Sequence, residues 1–191
     1  VEAVLALQPD AVIVATGARY SAGGRSITMD ADMPGSALPH VLRPEDVLDH
    51  GARPGGRVLL VDGEGLHAST GIAELLAANG ATVTYATAGF SPVSGRLVDA
   101  FEARQVVQRL KQAGVIFAPT TWVSGIEADA VTLHDVHTGE ERREAFDAVV
   151  LATGRVPQDG IARVLEGKVA QLFTIGDALS ARPPAAATFE G

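Results

Sequence analysis

Residues 57–68 read RVLLVDGEGLHA, an apolar run followed by the spacing Gly63-x-Gly65-x-x-Ala68. The run predicts a strand buried on both faces of a parallel sheet. In dinucleotide-binding turns the first glycine makes the turn, the second admits a pyrophosphate to the backbone, and the third small residue lets the helix pack on the strand. A phosphate there would face the free N–H groups of a helix N-terminus. Gly63, Gly65 and Ala68 are therefore candidate cofactor-binding residues.

The residues that follow this turn complete a β-α-β unit. Ile72, Leu75 and Leu76 form one apolar stripe of a helix predicted over about 68–79, and Gly80 is its expected C′ residue. The segment 82–86 reads TVTYA and predicts the next strand. Such a unit of about 30 residues, with glycines after its first strand, is typical of Rossmann-like nucleotide domains.

Two features of the unit oppose nucleotide binding. The end of the second strand, 85–89, reads YATAG and offers neither an acid for a ribose hydroxyl nor an arginine for a 2′-phosphate. Asp62 and Glu64 would also place negative charge beside a pyrophosphate unless their side chains point away. A Rossmann-like unit that keeps its shape without a ligand is therefore the alternative.

The chain beyond this unit predicts a helix, a meander and a further buried strand. Leu97, Phe101 and Leu110 follow an approximate helical pattern over 97–113. Further strands are expected at 115–118, 121–126, 130–136, 141–146 and 147–152. Trp122 is expected to pack within the meander. His67 is expected to face solvent, and His134 and His137 are expected on opposite faces, without a metal site.

Two Ala-Thr-Gly segments each follow an apolar run, at Ala15-Thr16-Gly17 and Ala152-Thr153-Gly154. An arginine comes shortly after each, Arg19 and Arg155. A Thr-Gly pair that simply ends a parallel strand explains one such segment, whereas two copies flanking a β-α-β unit favour a shared role. Thr16, Gly17, Thr153 and Gly154 are therefore candidate cofactor-binding residues.

A third candidate lies near the C-terminal end, where 174–177 reads Thr-Ile-Gly-Asp. A glycine at a strand end lets a ligand approach the backbone, and the adjacent Asp can accept hydrogen bonds from ribose or ribityl hydroxyls. Gly176 and Asp177 join the candidates on this ground. The alternative is that Asp177 caps the following turn. The alanine-rich run at 185–190 predicts the start of a helix.

Composition excludes several classes of protein. The 191 residues carry 15 Lys and Arg against 23 Asp and Glu, a formal charge of −8, which disfavours a nucleic-acid or anionic-membrane surface. The absence of cysteine excludes disulfides, a dithiol redox pair and a cysteine-ligated iron–sulfur cluster in this chain. The longest apolar runs are far shorter than the roughly 18 residues of a membrane span. Without a signal-peptide pattern, a cytoplasmic location is expected.

The order of these motifs carries a family resemblance. ATGAR, VLLVDGEG, AVVLATGR and TIGDA, followed by AAATFEG, are similar to the C-terminal FAD/NAD(P)-binding region of pyridine nucleotide–disulfide reductase-like flavoproteins. Within them the chain most resembles the group of NADH:flavin oxidoreductases, trimethylamine dehydrogenase and dienoyl-CoA reductase. The likeness extends over nearly the whole chain, and both ends look like cuts through a larger protein.

The resemblance implies an α/β fold in which a Rossmann-like domain with a central parallel sheet, helices and a β-meander interrupts a second, FAD-type domain. We expect the Rossmann-like NAD(P)-type domain at 52–156, and partial FAD-type segments at 1–51 and 157–191. The family pattern places FAD, or ADP, against Thr16, Gly17, Gly176 and Asp177. Gly63, Gly65 and Gly154 would border an NAD(P)H site. FMN and an iron–sulfur cluster are expected only outside this chain.

The expected function is that of a nucleotide-binding part of an oxidoreductase that moves electrons between a nicotinamide nucleotide and flavin. No side chain is typical of an acid–base catalyst, so the chain alone is expected to be inactive. Its partners are expected to be the nucleotide, the rest of the parent enzyme and, as an alternative, a second copy of the chain. A non-catalytic docking module with an empty or ADP-only site is the rival. A short-chain dehydrogenase fits poorly, since Tyr20 and Tyr85 lack the lysine four residues later.

Overall fold

A computed structural model describes residues 1–26, 31–99, 101–182 and 188–189. Its strands are β1 (Val12–Val14), β2 (Ala18–Tyr20), β3 (Val41–Leu42), β4 (Arg57–Asp62), β5 (Thr82–Thr87), β6 (Ile116–Ala118), β7 (Thr121–Ile126), β8 (Val131–Asp135), β9 (Glu141–Glu144), β10 (Ala148–Ala152), β11 (Arg155–Pro157) and β12 (Leu172–Thr174). Its helices are α1 (Glu2–Ala6), α2 (Pro44–Leu48), α3 (His67–Ala78), α4 (Gly95–Asp99), α5 (Ala103–Gln112) and α6 (Gly160–Leu165), with a 3₁₀ turn at Gly176–Ala178. The helix expected over 185–190 lies outside the described residues, apart from 188–189.

The chain divides into two compact units. The larger unit spans Tyr20–Gly154, and the smaller unit combines Val1–Arg19 with Arg155–Gly191. Residues 20–51, which the sequence assigned to a flanking segment, thus lie in the larger unit. The reason is that β3 pairs in parallel with β10, with Val41 opposite Val149. This short strand extends the sheet by one position, which its sequence did not indicate.

The larger unit is built on a five-stranded sheet in the order β3-β10-β4-β5-β6. Each neighbouring pair runs parallel, which confirms the predicted α/β class. Alternate residues of β4 point to opposite faces, so Leu60 packs with Ile72 and Leu76 of α3, whereas Leu59 packs on the other side. Because both faces are covered, β4 and β10 read as continuous apolar runs.

The second face of this sheet is covered by the predicted meander. β7, β8 and β9 form a three-stranded antiparallel sheet, with a register shift between Val123 and Gly125. Trp122 and Leu133 are buried in the same cluster as Leu59. The packing role expected for Trp122 is therefore confirmed.

The single helix predicted over 97–113 is wrong, since the structure has α4 and α5 with a break between them. Leu97 and Leu110 are buried as expected, but Phe101 is 88% exposed and has a φ of +59°. The Glu102 N–H donates to the Leu97 carbonyl across 2.9 Å, which closes the end of α4. Apolar periodicity failed here because it does not register a left-handed residue that turns the chain.

The smaller unit has a much smaller core. β1 and β12 pair in parallel, with Val14 opposite Thr174. Among its described residues, the buried apolar side chains are Val14, Ala162, Leu165 and Ala178. Among the described residues of the whole chain, no helix has the length and apolar character needed to cross a bilayer.

Candidate functional site

The glycine turn after β4 is shaped by its neighbours in the larger unit. Gly63 donates its N–H to the Ala152 carbonyl across 3.0 Å, and a Cβ at Gly63 would collide with the Thr153 carbonyl. Gly65 has a φ of +62°, and a Cβ there would lie 2.6 Å from the Ser94 backbone nitrogen. Both glycines are thus required by close backbone approaches within the chain. Ala68, the third position of the motif, is half-buried in the first turn of α3.

The Asp62 carboxylate is directed onto this turn from the end of β4. It accepts hydrogen bonds from the Glu64 N–H at 3.1 Å and the Gly65 N–H at 2.8 Å. The Ser69 hydroxyl in α3 donates to it as well, across 2.6 Å. Asp62 is completely buried. The sequence indicated Asp62 only as an unfavourable charge, whereas the structure makes its carboxyl group an acceptor for the turn.

Burial raises the pKa of Asp62 above its ordinary value, although the hydrogen bonds from the Ser69 hydroxyl and the Glu64 and Gly65 N–H groups act in the opposite direction. The pKa of Tyr85 is raised as well, first by its own burial and then by the nearby Asp62. Tyr85 is completely buried, and its hydroxyl donates to the Pro92 carbonyl at 3.2 Å. The polar groups of Asp62 and Tyr85 beneath the turn are therefore buried and hydrogen-bonded.

A cleft of about 430 Å³ opens beside this turn, at the carboxyl edge of β4 and β5. Asp62 and Glu64 are the charged residues among its described lining, and Trp122 and Phe90 supply aromatic surface. The Phe90 ring stacks on His137 with 5.4 Å between ring centroids. Parallel α/β sheets bind ligands at this edge, but this cleft has acidic rather than basic walls. Sequence reasoning missed Trp122 and Phe90 as lining residues because they come from distant segments.

The second Ala-Thr-Gly segment supports a loop of the larger unit. Thr153 is buried, and its hydroxyl donates to the Arg25 carbonyl at 3.0 Å. The Gly154 carbonyl accepts the Ser21 N–H at 2.9 Å, and a Cβ at Gly154 would lie 2.7 Å from the Arg25 carbonyl oxygen. The close approach that requires glycine at Gly154 is therefore made by this chain's own backbone.

The smaller unit brings four candidate residues to one sheet edge. Because Val14 lies opposite Thr174, the segments Thr16-Gly17 and Gly176-Asp177 follow neighbouring parallel strands. Gly17 has a φ of +76°, and a Cβ there would meet open space. The Thr16 hydroxyl donates to the Gln158 carbonyl, and the Gln158 N–H donates to the Gly17 carbonyl at 2.8 Å. This edge has the open glycine that the turn of the larger unit does not have.

Asp177 is held by donors within the smaller unit. Arg155 donates to Asp177 Oδ2 across 2.9 Å, and the side chains of the pair are 22% and 29% exposed. The Arg182 N–H donates to Oδ1 across 3.1 Å, which is the turn-capping role considered for this residue. Each carboxylate oxygen can accept more than one hydrogen bond, so Asp177 keeps acceptor capacity toward the edge. The sequence noted Arg155 but did not predict this ion pair.

The histidines lie outside this edge. His67 Nε2 lies 2.6 Å from Glu102 Oε2, and its side chain is 62% exposed, as expected for a residue that faces solvent. His134 Nδ1 lies 2.8 Å from the Ser124 hydroxyl on the meander.

A twisted parallel sheet with glycines at its carboxyl edge defines the class of α/β nucleotide-binding-fold proteins. A family model described as pyridine nucleotide-disulphide oxidoreductase matches residues 3–179. The chain belongs to this family, which confirms the resemblance found in the sequence.

Individual relatives of the chain have names that refer to amine substrates. It is 28% identical over 209 residues to dimethylamine dehydrogenase of Hyphomicrobium sp. (strain x), covering 94% of the chain and 28% of that protein. It is 30% identical over 233 residues to a probable N-methylproline demethylase of Rhizobium meliloti (strain 1021), covering 99% and 31%. The solved structure of 6-hydroxypseudooxynicotine amine oxidase from Pseudomonas geniculata N1 superposes with a TM-score of 0.93 at 34% identity. That match covers 99% of the chain and 29% of the amine oxidase. The chain thus spans less than a third of the length of these relatives.

Proposed function

We propose that this chain is the nucleotide-binding-fold region of a flavin-dependent oxidoreductase that acts on amines. In this proposal the smaller unit contacts the adenine nucleotide part of FAD, or ADP, through Thr16, Gly17, Gly176 and Asp177. The flavin supplies the electron-transfer chemistry of the parent enzyme when it is bound. The larger unit has a packing role in this proposal.

The observation that carries the proposal is the sheet edge formed by β1 and β12. Gly17 combines a φ of +76° with open space where a Cβ would be, so a ligand can approach its backbone. Gly176, on the neighbouring strand, also has a positive φ of +59°. Asp177, fixed by Arg155 at 2.9 Å, can accept a further hydrogen bond from a ribose or ribityl hydroxyl.

Three of the relatives support the substrate class. Dimethylamine dehydrogenase, N-methylproline demethylase and an amine oxidase each match more than nine-tenths of this chain. Their names share an amine as the compound acted on. We extend this chemistry to the parent enzyme of the present chain as part of the proposal.

A second candidate function is the transfer of electrons between a nicotinamide nucleotide and flavin. The strand–glycine turn–helix of the larger unit favours it, since β4, Gly63, Gly65 and α3 have the order and spacing of a dinucleotide site. Two features oppose it: the Asp62 carboxyl group already accepts hydrogen bonds from the Glu64 and Gly65 N–H groups, and the acidic Glu64 lines the adjacent cleft. One experiment separates the two candidates.

Calorimetric titration of the purified chain with ADP, FAD, NADH and NADPH tests the proposal. We expect saturable binding of ADP or FAD tighter than about 1 mM, or roughly −4 kcal/mol. Saturable binding of NADH or NADPH alone would support the second candidate. No heat with any nucleotide would contradict both and favour a docking module.

A pair of variants locates the binding site. Gly17→Ala adds a Cβ at the proposed contact, and we expect it to weaken ADP binding by about tenfold or more. Gly167→Ala is the matched control, because Gly167 lies in the same unit with a φ of +71° and open space around its Cβ position. Both variants place alanine in a left-handed conformation, which costs each about 1–2 kcal/mol of stability. Equal affinities of the two variants for ADP would contradict the proposed site.

A further inference from the structure

We propose that Asp62 is an internal occupant of the glycine turn in the larger unit. Its carboxyl group holds the N–H groups that a nucleotide phosphate would need, so nicotinamide nucleotides are excluded from this turn. The inference rests on the proposed function for the division of roles between the two units. Asp62 is then the residue that prevents the larger unit from binding nicotinamide nucleotides.

The backbone N–H groups of the turn already have an acceptor within the chain. In a dinucleotide-binding turn the backbone N–H groups between strand and helix are left free for phosphate oxygens. Here the Glu64 and Gly65 N–H groups both donate to Asp62, across 3.1 and 2.8 Å. Each N–H has one proton to donate, so an external phosphate would have to displace the carboxyl group.

The Asp62 carboxyl group is also held in place by a hydrogen bond from α3 and by its burial. The Ser69 hydroxyl donates to Asp62 Oδ1 at 2.6 Å from within α3, so the carboxyl group is fixed on the helix side as well. Asp62 is completely buried. Moving it away would leave three buried or half-buried donors without an acceptor, which is unfavourable.

The residues around the turn add to this effect through their charge and their backbone contacts. Glu64, the other charged residue in the described lining of the cleft, is also an acid. Gly65 lies against Ser94, whose N–H donates to the Gly65 carbonyl at 2.9 Å. The Gly65 carbonyl is therefore already engaged by the chain itself. Acidic walls and occupied donors act in the same direction.

Amide hydrogen exchange, followed by ¹⁵N NMR on the ligand-free wild-type chain, is the first measurement. We expect the Gly65 N–H to be protected, because it donates to a buried carboxyl group. Addition of NADH should leave the Gly65 and Ser94 amide signals unshifted. An unprotected Gly65 N–H, or saturable shifts of these two signals in the wild type, would overturn the inference.

Substitution of Asp62 is the second measurement. Asp62→Ala removes the internal acceptor, and we expect NADH to bind at least about tenfold more tightly than to the wild type, with shifts at Gly65 and Ser94. Inorganic pyrophosphate should shift the same signals in this variant. The matched control is Glu64→Gln, which removes a charge from the same turn and leaves the Asp62 hydrogen bonds in place. It should bind no more NADH than the wild type.

The outcomes separate this inference from the proposed function. A folded Asp62→Ala chain without NADH or pyrophosphate binding would overturn the inference, and so would tight NADH binding by Glu64→Gln. ADP binding in the smaller unit is read independently from the amide signals of Gly17 and Gly176. If ADP does not shift the Gly17 and Gly176 signals, the proposed function is contradicted, whereas the role of Asp62 is unaffected. If Asp62→Ala does not fold, the exchange measurement on the wild type still decides.

Discussion

At the scale of single residues, two aspartates have pKa values that are shifted in opposite directions. Asp62 is buried, and burial raises its pKa despite several donors. Asp135 is only half-buried at the end of β8, where hydrogen bonds from the Thr120 hydroxyl and then from the Thr138 and His137 N–H groups hold its pKa well below its ordinary value. Solvation thus decides the direction of the shift when both carboxylates have similar numbers of donors.

The low pKa of Asp135 predicts a pH dependence of stability. Because the folded-state pKa lies below the unfolded value, near 3.8, its contribution is fully present above that value and is lost as the pH falls below it. We expect Asp135→Ala to lower the melting temperature at neutral pH, and the difference from the wild type to shrink as the pH falls below about 4. Thermal unfolding followed by circular dichroism between pH 7 and about pH 2 measures this, because the contribution is lost only below the unfolded-state pKa.

The control for this series is Glu140→Ala, an exposed carboxylate in the same turn as Asp135. Its melting temperature should stay close to that of the wild type throughout the series. A stability difference for Asp135→Ala that does not change with pH would contradict the ionic origin of the effect.

At the scale of elements, the break between α4 and α5 depends on one backbone conformation. The sequence predicts a continuous helix because Leu97 and Leu110 both face the core, and the structure confirms their burial. Phe101 adopts a φ of +59° between them and places its ring in solvent. An exposed aromatic residue in this conformation gains little packing to offset its backbone strain.

Phe101→Gly tests this interpretation of the break. Glycine adopts positive φ without steric cost, and an 88% exposed ring contributes little burial. We expect the free energy of unfolding to stay equal or rise by up to about 1 kcal/mol, measured by urea denaturation. Val98→Gly, at an exposed position inside α4, should instead be destabilising by several tenths of a kcal/mol, since glycine disfavours helix interiors. A large loss of stability in Phe101→Gly would show that the ring packs on the protein.

At the scale of the whole molecule, the two units differ in the size of their cores. In the larger unit, two clusters cover both faces of the sheet, and Leu59, Leu60, Ile72 and Leu76 are completely buried. In the smaller unit, the buried apolar residues among the described positions are Val14, Ala162, Leu165 and Ala178. Since apolar burial is the main stabilising contribution, the smaller unit should be the less stable of the two.

Hydrogen exchange over the whole chain measures this difference. The Ile175 N–H, which donates to the Val14 carbonyl at 3.0 Å, should exchange much faster than the amides of β4. Saturating ADP should slow the exchange of Ile175 and leave β4 unchanged, because a ligand stabilises the unit that binds it. Equal exchange rates in both units without ligand would contradict the expected difference in stability.

Local sequence sufficed for the β-α-β unit. The apolar run of β4 matches the predicted strand at 57–62, and α3 begins at His67, one residue before the prediction. Gly80 follows the helix with a φ of +89°, as expected for a C′ residue. Such features depend on residues within a few positions of one another, so hydrophobic period and glycine placement are enough to predict them.

The chemistry of the site depended on residues far apart in the chain. Gly63 and Gly65 are conspicuous in the sequence, but Thr153 and Ser94 are what require them to be glycine. Likewise, the sequence spacing of Asp62 and Gly65 does not show which way the Asp62 carboxyl group points. It could face the cleft and repel a phosphate, or face the turn and accept hydrogen bonds from its N–H groups. The sequence therefore established the family, the α/β class and the positions of the glycines. Tertiary packing decided which backbone N–H groups remain open to a ligand, because each N–H has one proton to donate and a buried N–H must be paired within the chain.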